Sequence, residues 1–83
     1  RFHIFRQQMQ KWEYILVEAS LYSFGDKLIS IYVNSKEWRE WKNKTLYQLV
    51  NYLGDEGWEL ITFSHNSKSE DKYLIFKRPK ITI

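Results

Sequence analysis

The chain has 83 residues, a formal net charge of +3 and no cysteine. A chain of this length makes one domain that buries about 60 to 65% of the surface its unfolded form exposes, and without thiols neither disulfides nor thiolate-bound metals can supplement the core. No apolar run approaches the roughly 18 to 20 residues of a membrane helix, and no segment has the layout of a secretion signal, so a cytoplasmic protein is expected.

Aromatic residues make up 18% of the chain, with four Trp, six Tyr and five Phe. Each such ring can bury about 150 to 250 Å², so this content suits a core plus a second apolar surface. Charge is unevenly spread, with −4 over residues 45–71 and +4 over residues 72–83. Such a separation usually serves solubility, and it is also able to steer an anionic partner.

Residues 1–10 read as an N-terminal arm or a cloning remnant, because Met9-Gln10-Lys11-Trp12 has the form of a natural start. Residues 11–83 then form a single small α+β domain. Residues 12–19 are rich in aromatic and β-branched types, which predicts a strand. Ser23-Phe24-Gly25-Asp26 supplies a turn, and residues 27–33 alternate, with Ile29, Ile31 and Val33 expected on one side and Leu28, Ser30 and Tyr32 on the other. These two strands are expected to form an antiparallel hairpin. Residues 36–44, polar apart from Trp38 and Trp41, are read as irregular.

Thr45-Leu46-Tyr47-Gln48 has the form of a capping box, in which the threonine hydroxyl and the glutamine side chain satisfy each other's backbone N–H groups. Leu46, Leu49, Val50 and Leu53 follow at i, i+3, i+4 and i+7, one stripe of a helix about nine residues and roughly 14 Å long. Gly54 falls where helices often end in a left-handed residue, and Gly57 opens a third strand at Trp58. A polar loop over residues 65–71 leads to a fourth strand over residues 72–78, which Pro79 should stop. The expected fold is α+β: a four-stranded, mainly antiparallel sheet with one helix on one face, in the order β-β-α-β-β, the first and last strands adjacent.

Lys11-Trp12-Glu13-Tyr14, the central Leu53-Gly54-Asp55-Glu56-Gly57-Trp58-Glu59-Leu60, and the closing Tyr73-Leu74-Ile75-Phe76-Lys77-Arg78-Pro79 together resemble a small, mostly bacterial family, domain of unknown function 4177. The resemblance spans residues 11–79, and the central segment is its most specific part. It implies a fold and carries no activity or catalytic residue with it.

The residues point away from catalysis. Asp55, Glu56 and Glu59 are the local carboxylate group, but acid–base work needs carboxylates held in different environments within a pocket, whereas these read as a solvated turn and an outward strand position. His3 and His65 give no metal-ligand spacing, Ser64 beside His65 lacks an orienting acid, and no glycine-rich phosphate loop is present. No catalytic residue, metal or cofactor is therefore expected.

Two surfaces remain. Trp38, Arg39, Trp41 and Lys42, together with Lys77, Arg78 and Lys80, mix rings with cations as single-stranded nucleic-acid sites do. The larger signal comes from counting faces, since one short helix covers one side of a sheet while all four strands carry apolar residues on both sides. Trp12, Tyr14, Leu16, Leu28, Tyr32, Tyr73 and Ile75 then line a second face, which needs either a partner or cover from the Trp38/Trp41 loop or the arm. The leading expectation is a non-enzymatic protein-interaction module, homo-oligomeric or a small accessory subunit of a larger complex, with nucleic-acid binding as the alternative.

Overall fold

A computed structural model describes residues 9–23, 25–66, 68 and 71–81; residues 1–8 of the expected arm lie outside the described residues. The elements are β1 (Trp12–Leu21), β2 (Leu28–Val33), β3 (Lys36–Glu37), a 3₁₀ turn (Arg39–Trp41), α1 (Leu46–Asp55), β4 (Glu59–His65) and β5 (Asp71–Pro79). They build one antiparallel sheet in the order β3-β2-β1-β5-β4, with the N- and C-terminal strands side by side.

The sheet thus has five strands in the order β-β-β-α-β-β, which corrects the expected four-stranded β-β-α-β-β arrangement. The extra strand comes from Asn34 and Ser35, both at positive φ (50° and 70°), which fold the chain back through a two-residue turn that pairs Val33 with Lys36 and Tyr32 with Glu37. Mirror-image turns of this kind match the twist of a hairpin. Asn34 also extends the ladder beyond β2: its N–H donates to the Leu16 carbonyl, and its Oδ1 accepts from the Leu16 N–H, each at 2.9 Å.

A second correction concerns β2. The register steps from Ser20↔Ser30 to Leu21↔Leu28, so Ile29 is an extra residue on the β2 side. A bulge of this kind breaks strict alternation. Leu28 therefore joins Ile31 and Val33 in the core, while Ile29 is exposed, the reverse of the period-two expectation.

The core is one cluster between the sheet and α1: Ile15, Val17, Ala19 and Leu21 from β1, Leu28, Ile31 and Val33 from β2, Leu74 and Phe76 from β5, and Leu49 and Leu53 from the helix. Ten helical residues are marginal alone in water, so this packing holds α1. Its start is fixed twice. The Thr45/Gln48 capping box forms as its residues imply, with bonds of 2.9 and 3.0 Å. The preceding chain also pairs back beside β2, through Leu28 N–H to Lys44 O and Asn43 N–H to Leu28 O, both at 2.8 Å.

The far end of α1 departs from the expected role of Gly54. The helix runs on through Asp55, and the left-handed residue is Gly57 at φ 92°. Gly57 N–H donates to Gly54 O at 3.0 Å and Trp58 N–H to Leu53 O at 2.9 Å. This pair of bonds is a Schellman closure, in which the residue after the cap must be left-handed and the next returns an apolar side chain to the helix. Trp58 does so, packing on the core cluster.

Candidate functional site

Alternation along the two central strands decides what lies on each side of the sheet. Ile15, Val17 and Ala19 point to the helix, so Trp12, Tyr14, Leu16, Glu18 and Ser20 point away. Leu74 and Phe76 likewise leave Tyr73, Ile75 and Lys77 on the far side. The register sets these residues in rows: Glu59, Lys77 and Tyr14; then Thr62, Ile75 and Leu16; then Ser64, Tyr73, Glu18 and Tyr32. The Lys77 ammonium sits 4.3 Å from the centre of the Trp12 ring and binds its face. Ser20 donates to Asp71 at 2.7 Å at the end of the patch.

The result is a face on which Trp12, Tyr14, Leu16, Tyr32, Tyr73 and Ile75 surround two charged side chains of the same rows, Lys77 and Glu18, with Glu59, Ser64, Ser20 and Glu37 at its margin. It is open: Tyr14 is 58% exposed, Leu16 41% and Tyr32 40%. Tyrosine and tryptophan are the residues that protein interfaces favour. All five residues expected to form the interaction face, Trp12, Tyr14, Leu16, Tyr32 and Tyr73, lie on this one side.

The tryptophan loop does not cover that face. Trp38 and Trp41 pack against the core cluster on the helix side, where Trp41 meets Tyr52 with ring centroids 5.3 Å apart and Lys44 lies 4.8 Å from the Trp41 ring. Both rings are half-buried there.

The set considered for nucleic acid is not brought together. Trp38 hydrogen-bonds to Ile31, which pairs with Ala19, whereas Arg78 pairs with Glu13, six residues further along β1. That offset is roughly 20 Å along the strand. Lys77 and Arg78 also point to opposite sides of the sheet, and Arg39 pairs with Glu37 at 3.2 Å. Arg39, Lys42 and Lys80 are all exposed, Arg39 and Lys42 beside the rings of the loop and Lys80 at the other end of the sheet, hydrogen-bonded to Lys11 before β1.

Arg78 has a structural job that sequence reasoning missed. Its Nε donates to Glu13 Oε2 at 2.8 Å, its guanidinium donates to the Glu56 carbonyl at 2.9 Å, and its charge lies 4.2 Å from the Trp58 ring centre. It ties the end of the sheet to the turn after α1. An open cleft of about 540 Å³ lies beside it, lined in part by Glu13, Glu56, Arg78 and Lys80, but Glu13 and Arg78 are already committed to each other. Arg78→Met keeps the stem and removes all three contacts. Because the two side chains are 35% and 39% exposed, solvent screening discounts the pair, and a loss of about 1 to 2 kcal/mol is expected. A urea midpoint equal to wild type would refute this role.

Asp55, Glu56 and Glu59 are exposed around the helix-end turn. Among the described residues no group of three or more His, Asp or Glu is placed to hold a metal ion, and no helix is long and apolar enough to cross a membrane. No family model matches the chain, and neither a curated protein nor a solved structure matches it.

Proposed function

We propose that this chain is a non-enzymatic protein-interaction module of the cytoplasm, a homo-oligomer or small accessory subunit, that binds through the open side of its sheet. The observation that supports this reading is the set of aromatic and aliphatic side chains, Tyr14, Leu16 and Ile75 among them, on a side of the sheet that is uncovered among the described residues, while the tryptophan-bearing loop packs on the opposite side. A monomer rarely leaves this many rings on one side of a sheet in water, because each exposed apolar surface adds to the driving force for association. The nucleic-acid alternative has no converging surface to favour it.

Tyr14→Ser and Tyr32→Ser separate binding from folding. Tyr14 is more than half exposed and Tyr32 somewhat less than half, so each substitution is expected to cost about 1 kcal/mol of stability or less, the size of a cross-strand pair. Loss of a central aromatic from an interface costs about 2 kcal/mol or more. Each variant should therefore melt near wild type yet elute from native-host extract as a smaller species than wild type. An unchanged elution profile for both variants would sink the proposal.

A further inference from the structure

One row of the open face mixes rings with acid. Glu18 on β1 stands directly opposite Tyr73 on β5 and Tyr32 on β2, so it lies between two tyrosines at cross-strand spacing. It is half-buried, and among the described residues it has no hydrogen bond and no ion pair through its carboxylate. The other acids on this side are placed differently. Glu37 pairs with Arg39 at 3.2 Å, Asp71 accepts from Ser20 at 2.7 Å, and Glu59 stands exposed on the edge strand. The one cation in these rows, Lys77, sits on the Trp12 ring and opposite Glu59, four residues along β5 from Tyr73. With Glu37 balanced by Arg39, the three acids Glu18, Glu59 and Asp71 against Lys77 leave this side at −2, on a chain of formal net charge +3.

Given that this side is a protein interface, we propose that its occupant is a basic segment of a different protein, which sets an arginine or lysine between Tyr32 and Tyr73 against Glu18. Covering the face takes Glu18 out of water, and a carboxylate buried without a cation is costly. The occupant must therefore bring the charge. The flanking rings suit the same guest, because a tyrosine face attracts a cation as the Trp12 ring attracts Lys77. A second copy presenting this face offers only Lys77, which is already seated on a ring, so self-pairing leaves Glu18 without a partner.

Selection of random peptides displayed on phage, against the purified full chain, reads the charge of the guest. A chain of net charge +3 attracts acidic peptides wherever charge acts without a site, so basic peptides report on this face. Wild type should enrich arginine and lysine over the unselected library. The peptides so selected should bind Glu18→Lys, and the isosteric Glu18→Gln, at least about tenfold more weakly than wild type. Glu56→Lys, the same charge change at the exposed turn after α1, should bind them as wild type does. Recovery of no basic peptide by wild type, or of basic peptides that Glu18→Lys binds equally well, would overturn the proposal. So would a purified chain that dimerises and loses its dimer with Tyr14→Ser. In native-host extract, Glu18→Lys should elute as a smaller species, as Tyr14→Ser does. Elution of Glu18→Lys as wild type beside a smaller Tyr14→Ser species would keep the interface and remove its basic guest, whereas wild-type elution of Tyr14→Ser, Tyr32→Ser and Glu18→Lys alike would remove the interface as well.

Discussion

Phe76→Ala is expected to lower the stability of the fold by about 3 to 5 kcal/mol. Phe76 is 1% exposed and the largest of the fully buried side chains. It stands on β5 opposite Ile15 of β1 and Leu60 of β4, so three strands meet at its ring. Truncating such a residue removes its transfer energy and leaves a cavity that close-packed neighbours cannot fill, a cost of about 3 to 5 kcal/mol. A domain of this length has roughly 4 to 12 kcal/mol in total, so the loss is a large share of it. Phe63→Ala is the control: Phe63 lies opposite Leu74 on the same side of the sheet but on the edge strand, half exposed. It should cost under about 1 kcal/mol. Equal loss of far-UV circular dichroism in the two variants would show that the core does not end at β5.

Gly57→Val is expected to cost about 2 kcal/mol or more, and Gly54→Ala to add about 0.5 to 1 kcal/mol. Gly57 holds φ at 92°, where a side chain is strained whatever space surrounds it, and a β-branched one most of all. The strain falls on the turn whose N–H groups close the last carbonyls of α1, so the helix end and the Trp58 contact are lost together. Gly54 differs in each respect. It is helical, its φ is not positive, and an added Cβ would meet no atom within 4 Å. Alanine there removes the entropic penalty of a glycine inside a helix. The sequence Gly54-Asp55-Glu56-Gly57 thus contains one glycine that the fold needs and one that it merely tolerates. Urea denaturation reads both signs, and a larger loss for Gly54→Ala than for Gly57→Val would reverse the assignment.

Much of this architecture is legible in the residues themselves. The stripe Leu46, Leu49, Val50, Leu53 and the Thr45/Gln48 box define α1 because a helical period and its cap are local properties. The open face follows from alternation on β1 and β5, which pair without interruption from Trp12↔Pro79 to Ser20↔Asp71. What escapes local reading is whatever depends on how strands meet. The bulge that exchanges Leu28 and Ile29 arises where β2 is fitted to β1, and period two alone cannot signal it. Strand β3 carries only Lys36 and Glu37, so no apolar alternation marks it, although Asn34-Ser35 between two extended runs was the available turn signal. Spacing along the chain also does not show on which side of the sheet Trp38 and Trp41 fall. Gly54 and Gly57 are both plausible helix terminators three residues apart, and only the bonds from Gly57 and Trp58 back to Gly54 and Leu53 distinguish them.

The interaction reading rests on the open side of the sheet being covered in the cell. A photoreactive benzoylphenylalanine in place of Tyr14, at the centre of that face, tests this directly against the same residue in place of Tyr47, which is 73% exposed on α1. Irradiated in the native host, the Tyr14 position should give a discrete higher-mass adduct of this chain with one protein species, and the Tyr47 position should give none above background. No adduct at Tyr14, or equal labelling at the two positions, would contradict the account.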